Sequence, residues 1–256
     1  MISRHICFVT LLCISQLHGQ TTATKTPSSS SSSSDSEGRD FVRRISAGGT
    51  LNFLPLSLQT SASTSATLDS GATVTTSASS QSNWFSGGVV VQFAFKDRWA
   101  VATNFLIRRP GYQLTTTTTL GSVTTTETEQ TRATYWDVPL VARRYSLGRR
   151  EAGFRWFYEV GGTARFVGSI KTQIETTVTD STAGTTTTTC CDVAPSVPAH
   201  RVVGGVVAGA GLQLIDDYGV HIVPEFRYTR WLQRTFESPA APSQMNQIEV
   251  LVGITF

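Results

Sequence analysis

Apolar and polar residues alternate with a period of two in eight segments of the chain. Such alternation is typical of β-strands, because successive side chains of a strand point to opposite faces of the sheet. The pattern therefore predicts an all-β, antiparallel structure. The eight segments are 45–53, 84–95, 99–107, a segment around Trp136 that ends at Tyr145, 154–166, 202–214, 220–231 and 246–256.

The segment 246–256 indicates which face of the predicted strands is apolar and which is polar. Its apolar residues share one parity, and Gln247, Glu249, Gly253 and Thr255 share the other. An apolar outer face and a polar inner face are typical of a barrel with lipid outside and a polar lumen. A secreted, lipocalin-like barrel that binds lipid would need the reverse pattern. The apolar residues of this segment are Ile248, Val250, Val252, Ile254 and Phe256.

The connections between these segments differ in length. Three are short and polar, at 96–98, 146–153 and 216–219. The others are long or intermediate, at 54–83, 109–133, 167–199 and 232–243. Long and short connections alternate in outer-membrane barrels, which have tight periplasmic turns and extended extracellular loops. We therefore predict an eight-stranded antiparallel up-and-down transmembrane β-barrel, with both termini in the periplasm.

The long connections are rich in threonine and serine, and each contains a glycine where a turn is expected. Threonine favours strands, and glycine accepts the positive φ of tight turns. We expect hairpins that continue beyond the membrane, although flexible polar loops are the alternative. The paired segments are 58–67 with 72–79, 114–119 with 123–128, and 170–179 with 185–189.

The first 42 residues have a different composition from the rest of the chain. Residues 1–19 contain Arg4, an apolar run at 6–14 and then small or polar residues, which is typical of a secretory signal peptide. Residues 20–42 include a run of seven serines and are expected to be a disordered periplasmic segment. The predicted barrel then occupies residues 43–256.

Charged residues make up 15% of the chain, and the net charge is +3. Such a small charge argues against nucleic acid as a partner. No segment after the signal peptide approaches the ~20 apolar residues of a transmembrane helix. An exported chain of this kind must therefore enter a membrane as strands.

The inward parity of the strands collects charged residues. The expected inward group includes Gln92, Asn104, Arg143 and Arg155 beside a set of acids and arginines. The interior of an eight-stranded barrel is just wide enough to be filled by side chains, and buried charges must be paired. We predict a plug of ion pairs in the lumen. The predicted network consists of Asp137, Glu159, Arg165, Glu225, Arg227 and Glu249.

Aromatic residues cluster near the ends of the predicted strands. Outer-membrane barrels carry two aromatic girdles, one at each membrane interface. We predict that these residues face lipid at the two interfaces. The predicted girdle residues are Phe53, Trp84, Trp99, Trp136, Tyr145, Phe166, Tyr228, Trp231 and Phe256.

Candidate catalytic residues are few after the signal peptide. The adjacent Cys190 and Cys191 favour two loop thiols or an oxidised surface pair, with a redox or metal role as the minority alternative. His221 falls at the periplasmic end, whereas His200 could stand near the outer rim among serines and threonines. No zinc spacing or phosphate-binding loop is found, so we expect no cofactor, no metal and no enzymatic activity.

Three motifs resemble a known family. The terminal strand ending at Phe256 resembles the assembly signal of bacterial outer-membrane barrels. The segments 135–140, YWDVPL, and 224–228, PEFRY, resemble strands of outer-membrane β-barrel domain proteins. Residues 43–256 thus look like a small barrel of the OmpX/OmpA type or a PorT-like barrel domain. Pro139 and Pro224 lie inside predicted strands, where a donor is lost, and we expect local bulges there.

The resemblance implies a place and an architecture. Its partners would be outer-membrane lipid, the barrel assembly machinery through Phe256, and an extracellular protein or surface ligand. We expect a role in surface interaction, adhesion or envelope structure through the protruding loops. A small pore or transport barrel, an outer-membrane hydrolase and a secreted lipid binder are the alternatives.

Overall fold

The computed structural model describes residues 43–256, apart from 82–83, 150, 152, 217–218 and 238–241. The expected signal peptide at 1–19 and the expected disordered segment at 20–42 lie outside the described residues. Within the described part of the chain, no helix is long and apolar enough to cross a membrane.

Within the described residues, twelve strands form one antiparallel sheet. Eight strands were expected for the barrel, and the additional strands lie in the Thr-rich connections, where hairpins were expected. The strands are β1 (Ile45–Phe53), β2 (Ala62–Thr67), β3 (Thr73–Ser80), β4 (Phe85–Lys96), β5 (Trp99–Arg108), β6 (Gly111–Leu120), β7 (Val123–Tyr145), β8 (Arg155–Asp180), β9 (Thr185–Val193), β10 (Val202–Ile215), β11 (His221–Trp231) and β12 (Asn246–Thr255).

Eight of the twelve strands pair in a closed ring. The ring runs β1, β4, β5, β7, β8, β10, β11 and β12, and β12 pairs back to β1. Each ring strand is antiparallel to both neighbours, so the ring has the up-and-down order expected for a barrel. Closure removes the free sheet edges that an open sheet would expose.

The two ring prolines do not produce bulges, contrary to the expectation from the sequence. Between β5 and β7 the pairing jumps from Thr103↔Leu140 to Leu106↔Asp137, which keeps the same register across Pro139. Proline has no N–H to donate, so the ladder is interrupted there without an extra residue. The register of β10 with β11 also stays the same on the two sides of Pro224.

The remaining four strands extend the ring at its long-connection end. Together with residues 123–134 of β7 and 167–180 of β8, they form a sheet with the order β2, β3, β6, β7, β8, β9. We call this six-stranded extension the hairpin sheet; it comprises β2, β3, β6, β9, residues 123–134 of β7 and residues 167–180 of β8. A register shift between Ala133 and Tyr135 marks the boundary between ring and extension in β7. Positive-φ glycines, Gly71, Gly121 and Gly184, occupy the hairpin turns.

Candidate functional site: the lumen and the hairpin sheet

Side chains of the ring alternate strictly between the lumen and the outside. In β12, Gln247 and Glu249 are buried, whereas Val250 and Val252 are exposed. The buried side chains of a closed ring can only point into its lumen, and the exposed ones form an apolar outer surface. This arrangement suits a lipid environment, in which the outer face meets hydrocarbon chains.

The first of two charge clusters in the lumen is centred on Arg143. Its Nε donates to Glu159 Oε2 at 2.8 Å, and its Nη2 donates to Glu225 Oε2 at 2.5 Å. Arg227 completes the ring of charges, with Nε donating to Glu159 Oε1 at 3.0 Å and Nη2 lying 2.6 Å from Glu225 Oε1. Two guanidinium groups face two carboxylates, so the formal charge of this Arg143 cluster is zero.

The second cluster is centred on Asp137. Arg165 binds it in a bidentate manner, with Nε donating to Oδ1 at 2.7 Å and Nη2 donating to Oδ2 at 2.8 Å. Arg108 Nε donates to Oδ2 of the same carboxylate at 2.6 Å, and its Nη2 contacts Glu249. This Asp137 cluster also has two cations and two anions. Bidentate arginine–carboxylate pairs are among the strongest protein hydrogen bonds.

Neutral side chains satisfy further oxygen and nitrogen atoms of the clusters. Asn52 Nδ2 donates to Glu249 Oε2 at 3.1 Å, and Arg165 donates to Gln247 Oε1 at 2.8 Å. Arg143 Nη1 donates to Gln92 Oε1 at 3.2 Å. Moving an ion from water into a buried site costs roughly several kcal/mol, and hydrogen-bond partners of this kind offset that cost.

Glycines on β10 leave the room that the clusters need. A Cβ at Gly211 would lie 2.5 Å from Phe157 Cζ and 2.7 Å from the carbonyl oxygen of Pro224. A Cβ at Gly209 would lie 3.0 Å from Glu159 Oε1 and 2.8 Å from the carbonyl oxygen of Phe226. These glycines therefore have a steric role opposite the large inward side chains of β8.

Little space remains between the lumen side chains. One gap beside Arg143 and Glu225 has a volume of about 20 Å³, and another beside Arg108 and Asp137 has about 10 Å³. A water molecule needs roughly 10–15 Å³ of such volume. Each gap therefore holds about one water molecule, and the lumen at these levels is filled by side chains.

The structure brings all six predicted network residues into these two clusters, but two arginines complete them. Parity already places Arg143 inward, although the predicted network omits it. Arg108 was missed because the predicted strand stops at Ile107, one residue too early. The signal was present, since Arg108 shares its parity with Asn104, which the pattern directs inward.

Two of the predicted girdle residues face the lumen, and the prediction is wrong for them. Tyr145 is buried, with its hydroxyl donating to Gln92 Oε1 at 2.7 Å. Trp231 is also buried, and its Nε1 donates to Gln247 Oε1 at 3.0 Å. Period-two alternation explains both errors: each residue shares the parity of an inward arginine on its own strand, Arg143 and Arg227 respectively.

The other predicted girdle residues lie on the outer surface or at its edge. Phe53 is half-buried and contacts Trp84 with a ring-centroid distance of 6.0 Å. Trp136 and Phe166 occupy opposite positions on β7 and β8 at the long-connection end. The exposed members of the predicted girdles are Trp84, Trp99, Trp136, Phe166, Tyr228 and Phe256.

The candidate hydrolase residues do not assemble a catalytic pair in the described part of the chain. His200 Nδ1 lies 3.1 Å from the carbonyl oxygen of Arg234, with no serine hydroxyl or carboxylate among its described hydrogen-bond partners. His221 is buried near Thr255 at the short-turn end. Cys190 and Cys191 are exposed free thiols on β9. Among the described residues, no group of three or more His, Cys, Asp or Glu side chains is placed to hold a metal ion.

The hairpin sheet has two free edges, β2 and β9. Every residue of these two strands is exposed. Strand β2 pairs only with β3, and β9 pairs only with β8, so one side of each backbone is left without a strand partner. Strand β2 has no charged residue and β9 has only Asp192. Natural edge strands usually carry charges, prolines or bulges that discourage pairing, and these two carry almost none.

Comparison with known protein families identifies a family of outer-membrane proteins. The sequence model of the family described as outer membrane protein beta-barrel domain matches residues 28–237. No curated protein matches the chain.

Comparison with solved structures finds the crystal structure of Ail, the attachment invasion locus protein of Yersinia pestis, in complex with the heparin analogue sucrose octasulfate. The alignment covers 84% of this chain and 100% of that chain, at 12% sequence identity and a TM-score of 0.34.

Proposed function

Because the chain belongs to the outer membrane protein beta-barrel domain family and is thus an outer-membrane protein, we propose that it is a non-enzymatic surface protein whose hairpin sheet binds a partner. In this proposal the ring crosses the membrane, the short turns and both termini lie in the periplasm, and the hairpin sheet projects outside the cell. Lipid surrounds the exposed apolar face of the ring. Recognition of β12 by the barrel assembly machinery stays a prediction.

The observation that carries this proposal is the pair of free edges on the hairpin sheet. An extended segment of a partner can add to such an edge, because unpaired backbone N–H and C=O groups supply the affinity. Threonine and serine side chains on both faces keep the sheet soluble without blocking its edges. A role in adhesion or envelope structure fits this surface better than chemistry inside the filled lumen.

The proposal can be tested by introducing charged residues on an edge strand of the hairpin sheet. The variant Thr187→Lys with Thr189→Lys places two cations on β9 and should discourage strand addition. Purified full-length protein in lipid nanodiscs would be applied to an array of ten-residue peptides of extended sequence. We expect the wild type to retain a defined set of peptides and the β9 variant to lose that set.

The matched control is Thr182→Lys with Ala183→Lys, which adds the same charge in the exposed turn before β9. We expect the control to bind like the wild type. Equal binding by the β9 variant would exclude β9 as the binding edge, and the absence of any retained peptide on the wild type would exclude both edges as the binding surface.

Conductance in planar bilayers separates this proposal from a pore. Because the Arg143 and Asp137 clusters fill the lumen, we expect no steady single-channel steps from the wild type. Steady steps would favour the transport barrel instead.

Protease treatment of whole cells tests the orientation of the ring in the membrane. Cleavage confined to 146–153 and 216–219 would show that the short turns, and not the hairpin sheet, lie outside the cell.

A further inference from the structure

We propose that a basic cleft at the base of the hairpin sheet binds the phosphate group of a lipid headgroup in the outer leaflet. The inference goes beyond partner binding at the sheet edges but rests on the proposed orientation. The cleft has a volume of about 520 Å³. The residues that line it are Gln81, Arg109, Gly111, Arg132, Ala133, Thr134, Ser169 and Lys171.

Three cations meet in this cleft. Arg132 on β7 pairs across the sheet with Gly111 of β6 on one side and with Lys171 of β8 on the other. Arg109 follows the end of β5 and lines the same cleft. All three side chains are exposed. Neighbouring strands lie about 4.8 Å apart, so a single anionic group can reach more than one of these cations.

The cations have no anionic partner of their own. None of the three forms an ion pair or a side-chain hydrogen bond within the described ranges of the chain. No carboxylate is among the residues that line the cleft. This contrasts with the lumen, where each cluster balances two arginines with two acids. The uncompensated positive charge identifies the ligand as an anion.

The position of the cleft identifies the anion as part of a lipid. Trp136 lies four residues from Arg132 on the same strand and, like it, is exposed on the outer face. Its neighbours across the sheet are Ile107 and Phe166, both also exposed on that face. Four residues span about 13 Å along a strand, and strand tilt reduces the height to about 10 Å. The cations therefore stand in the headgroup layer just above the lipid-facing aromatic residues.

The remaining lining residues suit a phosphate. Arginine donates two parallel N–H groups to phosphate oxygens, and lysine adds a point charge. The Thr134 and Ser169 hydroxyls can donate to further oxygens. Gly111 keeps the floor open, since a Cβ there would lie 3.2 Å from the carbonyl oxygen of Thr131 and 3.5 Å from Arg132 Cγ.

A second cleft of about 390 Å³ shares Arg132 and Lys171 but contains an acid. That acid, Asp192, accepts a hydrogen bond from Gln173 Nε2 at 3.0 Å. A negative charge at this side disfavours a second phosphate. The geometry therefore assigns the phosphate to the first cleft, where lipid has access from the membrane side.

Lipid A is the probe for the test, with and without its phosphates. Full-length protein in a maltoside detergent, which contains no phosphate, would be titrated with diphosphorylated lipid A and analysed by native mass spectrometry. We expect the wild type to bind the phosphorylated lipid and to bind the dephosphorylated lipid far more weakly. The triple variant Arg109→Gln, Arg132→Gln and Lys171→Gln should lose about a hundredfold in affinity, since each cation contributes about fivefold.

Two further variants separate a built site from general charge. The control Arg44→Gln, Arg201→Gln and Arg234→Gln removes three exposed cations outside the cleft and should bind like the wild type. The variant Ser169→Trp fills the cleft without changing the charge and should weaken binding. Heat-dependent gel mobility would verify that every variant is folded.

The proposal is overturned if the triple variant binds lipid A like the wild type, or if the control loses as much affinity. Displacement by free pyrophosphate at equal phosphate concentration would assign the cleft to a soluble phosphate instead. Displacement by a soluble sulfated polysaccharide would assign it to a surface polyanion. The triple variant should still retain the peptides bound by the β9 edge, so failure of one proposal is distinguishable from failure of the other.

Discussion

The lumen and the hairpin sheet are built from the same two long strands, since β7 and β8 run through both. In the lumen, polar side chains are buried and charged, and eight of them form the Arg143 and Asp137 clusters with at most 5% of each residue exposed. In the hairpin sheet, polar side chains are mostly uncharged threonine and serine in contact with water. The first region depends on particular side-chain partners, and the second depends on backbone pairing.

This difference follows from solvation. A buried charge without a partner destabilises the fold by roughly several kcal/mol, so each charged lumen residue requires a partner of opposite charge beside it. An exposed threonine keeps its hydrogen bonds with water, and replacing it changes stability by about 0.5 kcal/mol or less. Substitutions in the lumen should therefore affect stability, whereas substitutions in the hairpin sheet should affect binding.

The largest effect is expected from Arg143→Met. The change leaves Glu159 and Glu225 buried with a single remaining cation, Arg227, and should destabilise the barrel by about 3–5 kcal/mol. Urea unfolding in lipid vesicles, followed by tryptophan fluorescence, would measure it. The adjacent, outward Arg144 provides the control, because Arg144→Met removes an exposed side chain and should cost under about 1 kcal/mol. Equal losses for the two variants would contradict the distinction between lumen and surface.

A smaller loss is expected from Gly211→Ala. The new Cβ would overlap Phe157 and the carbonyl oxygen of Pro224, and overpacking of this kind costs about 1–3 kcal/mol. Gly49 of β1 faces outward, and a Cβ added there would have no atom within 4 Å, so Gly49→Ala is the matched control. The same unfolding assay would compare them. An unaffected Gly211→Ala variant would mean that the lumen is looser than its distances indicate.

Substitutions of Trp231 and Tyr228 compare the inward and the outward face of β11. Trp231→Phe removes the hydrogen bond to Gln247 and weakens the contact with Arg165, whose guanidinium lies 4.0 Å from the ring centroid. We expect a loss of about 1–2 kcal/mol. Tyr228→Phe removes an exposed bond to Asn246 and should cost less. A reversed order would place Trp231 on the lipid side, as the sequence pattern of aromatic girdles had suggested.

The smallest effect is expected at the tip of the β8–β9 hairpin. The backbone N–H groups of Ala183 and Thr182 donate to Asp180 Oδ1 and lower the pKa of that carboxyl. Because the pKa of Asp180 is lower in the folded turn than in the unfolded chain, the ionised carboxylate stabilises the turn at pH values above the unfolded pKa of about 3.9. This contribution is lost as the pH falls through the lowered pKa.

NMR titration would test this pH dependence of the turn. The amide shifts of Thr182 and Ala183 should change with a midpoint below about 3.9, while the stability of the ring stays constant over the same step. In Asp180→Asn the step should disappear. A midpoint at or above the ordinary value would show that the turn does not hold the carboxylate.

Much of the ring could be predicted from the sequence because period-two alternation is a local property. Strand β1 has the predicted bounds, and β12 has the predicted inward and outward residues. Charged residues of inward parity, such as Glu159 and Arg227, are accordingly found in the lumen. The errors at Tyr145 and Trp231 arose where residue type was given more weight than parity.

Other features could not be predicted because they depend on contacts between distant strands. Arg108 on β5 and Glu249 on β12 are far apart in the chain. In the closed ring only β4 and β1 lie between their strands, so both side chains reach the same part of the lumen. The basic cleft needs three strand segments side by side, and no local motif marks it. Hairpins were expected in the Thr-rich connections, but the order in which their strands pair with β7 and β8 depends on the tertiary structure.

The alternation in the sequence by itself determined which ring positions face outward, which face the lumen and where the long connections lie. Alternation fixes these features, because a strand places successive side chains on opposite faces wherever it lies. Only the tertiary structure decided which arginine pairs with which carboxylate, which edges stay free and where unpaired cations gather. Those features depend on sheet order and register, and ring closure sets both.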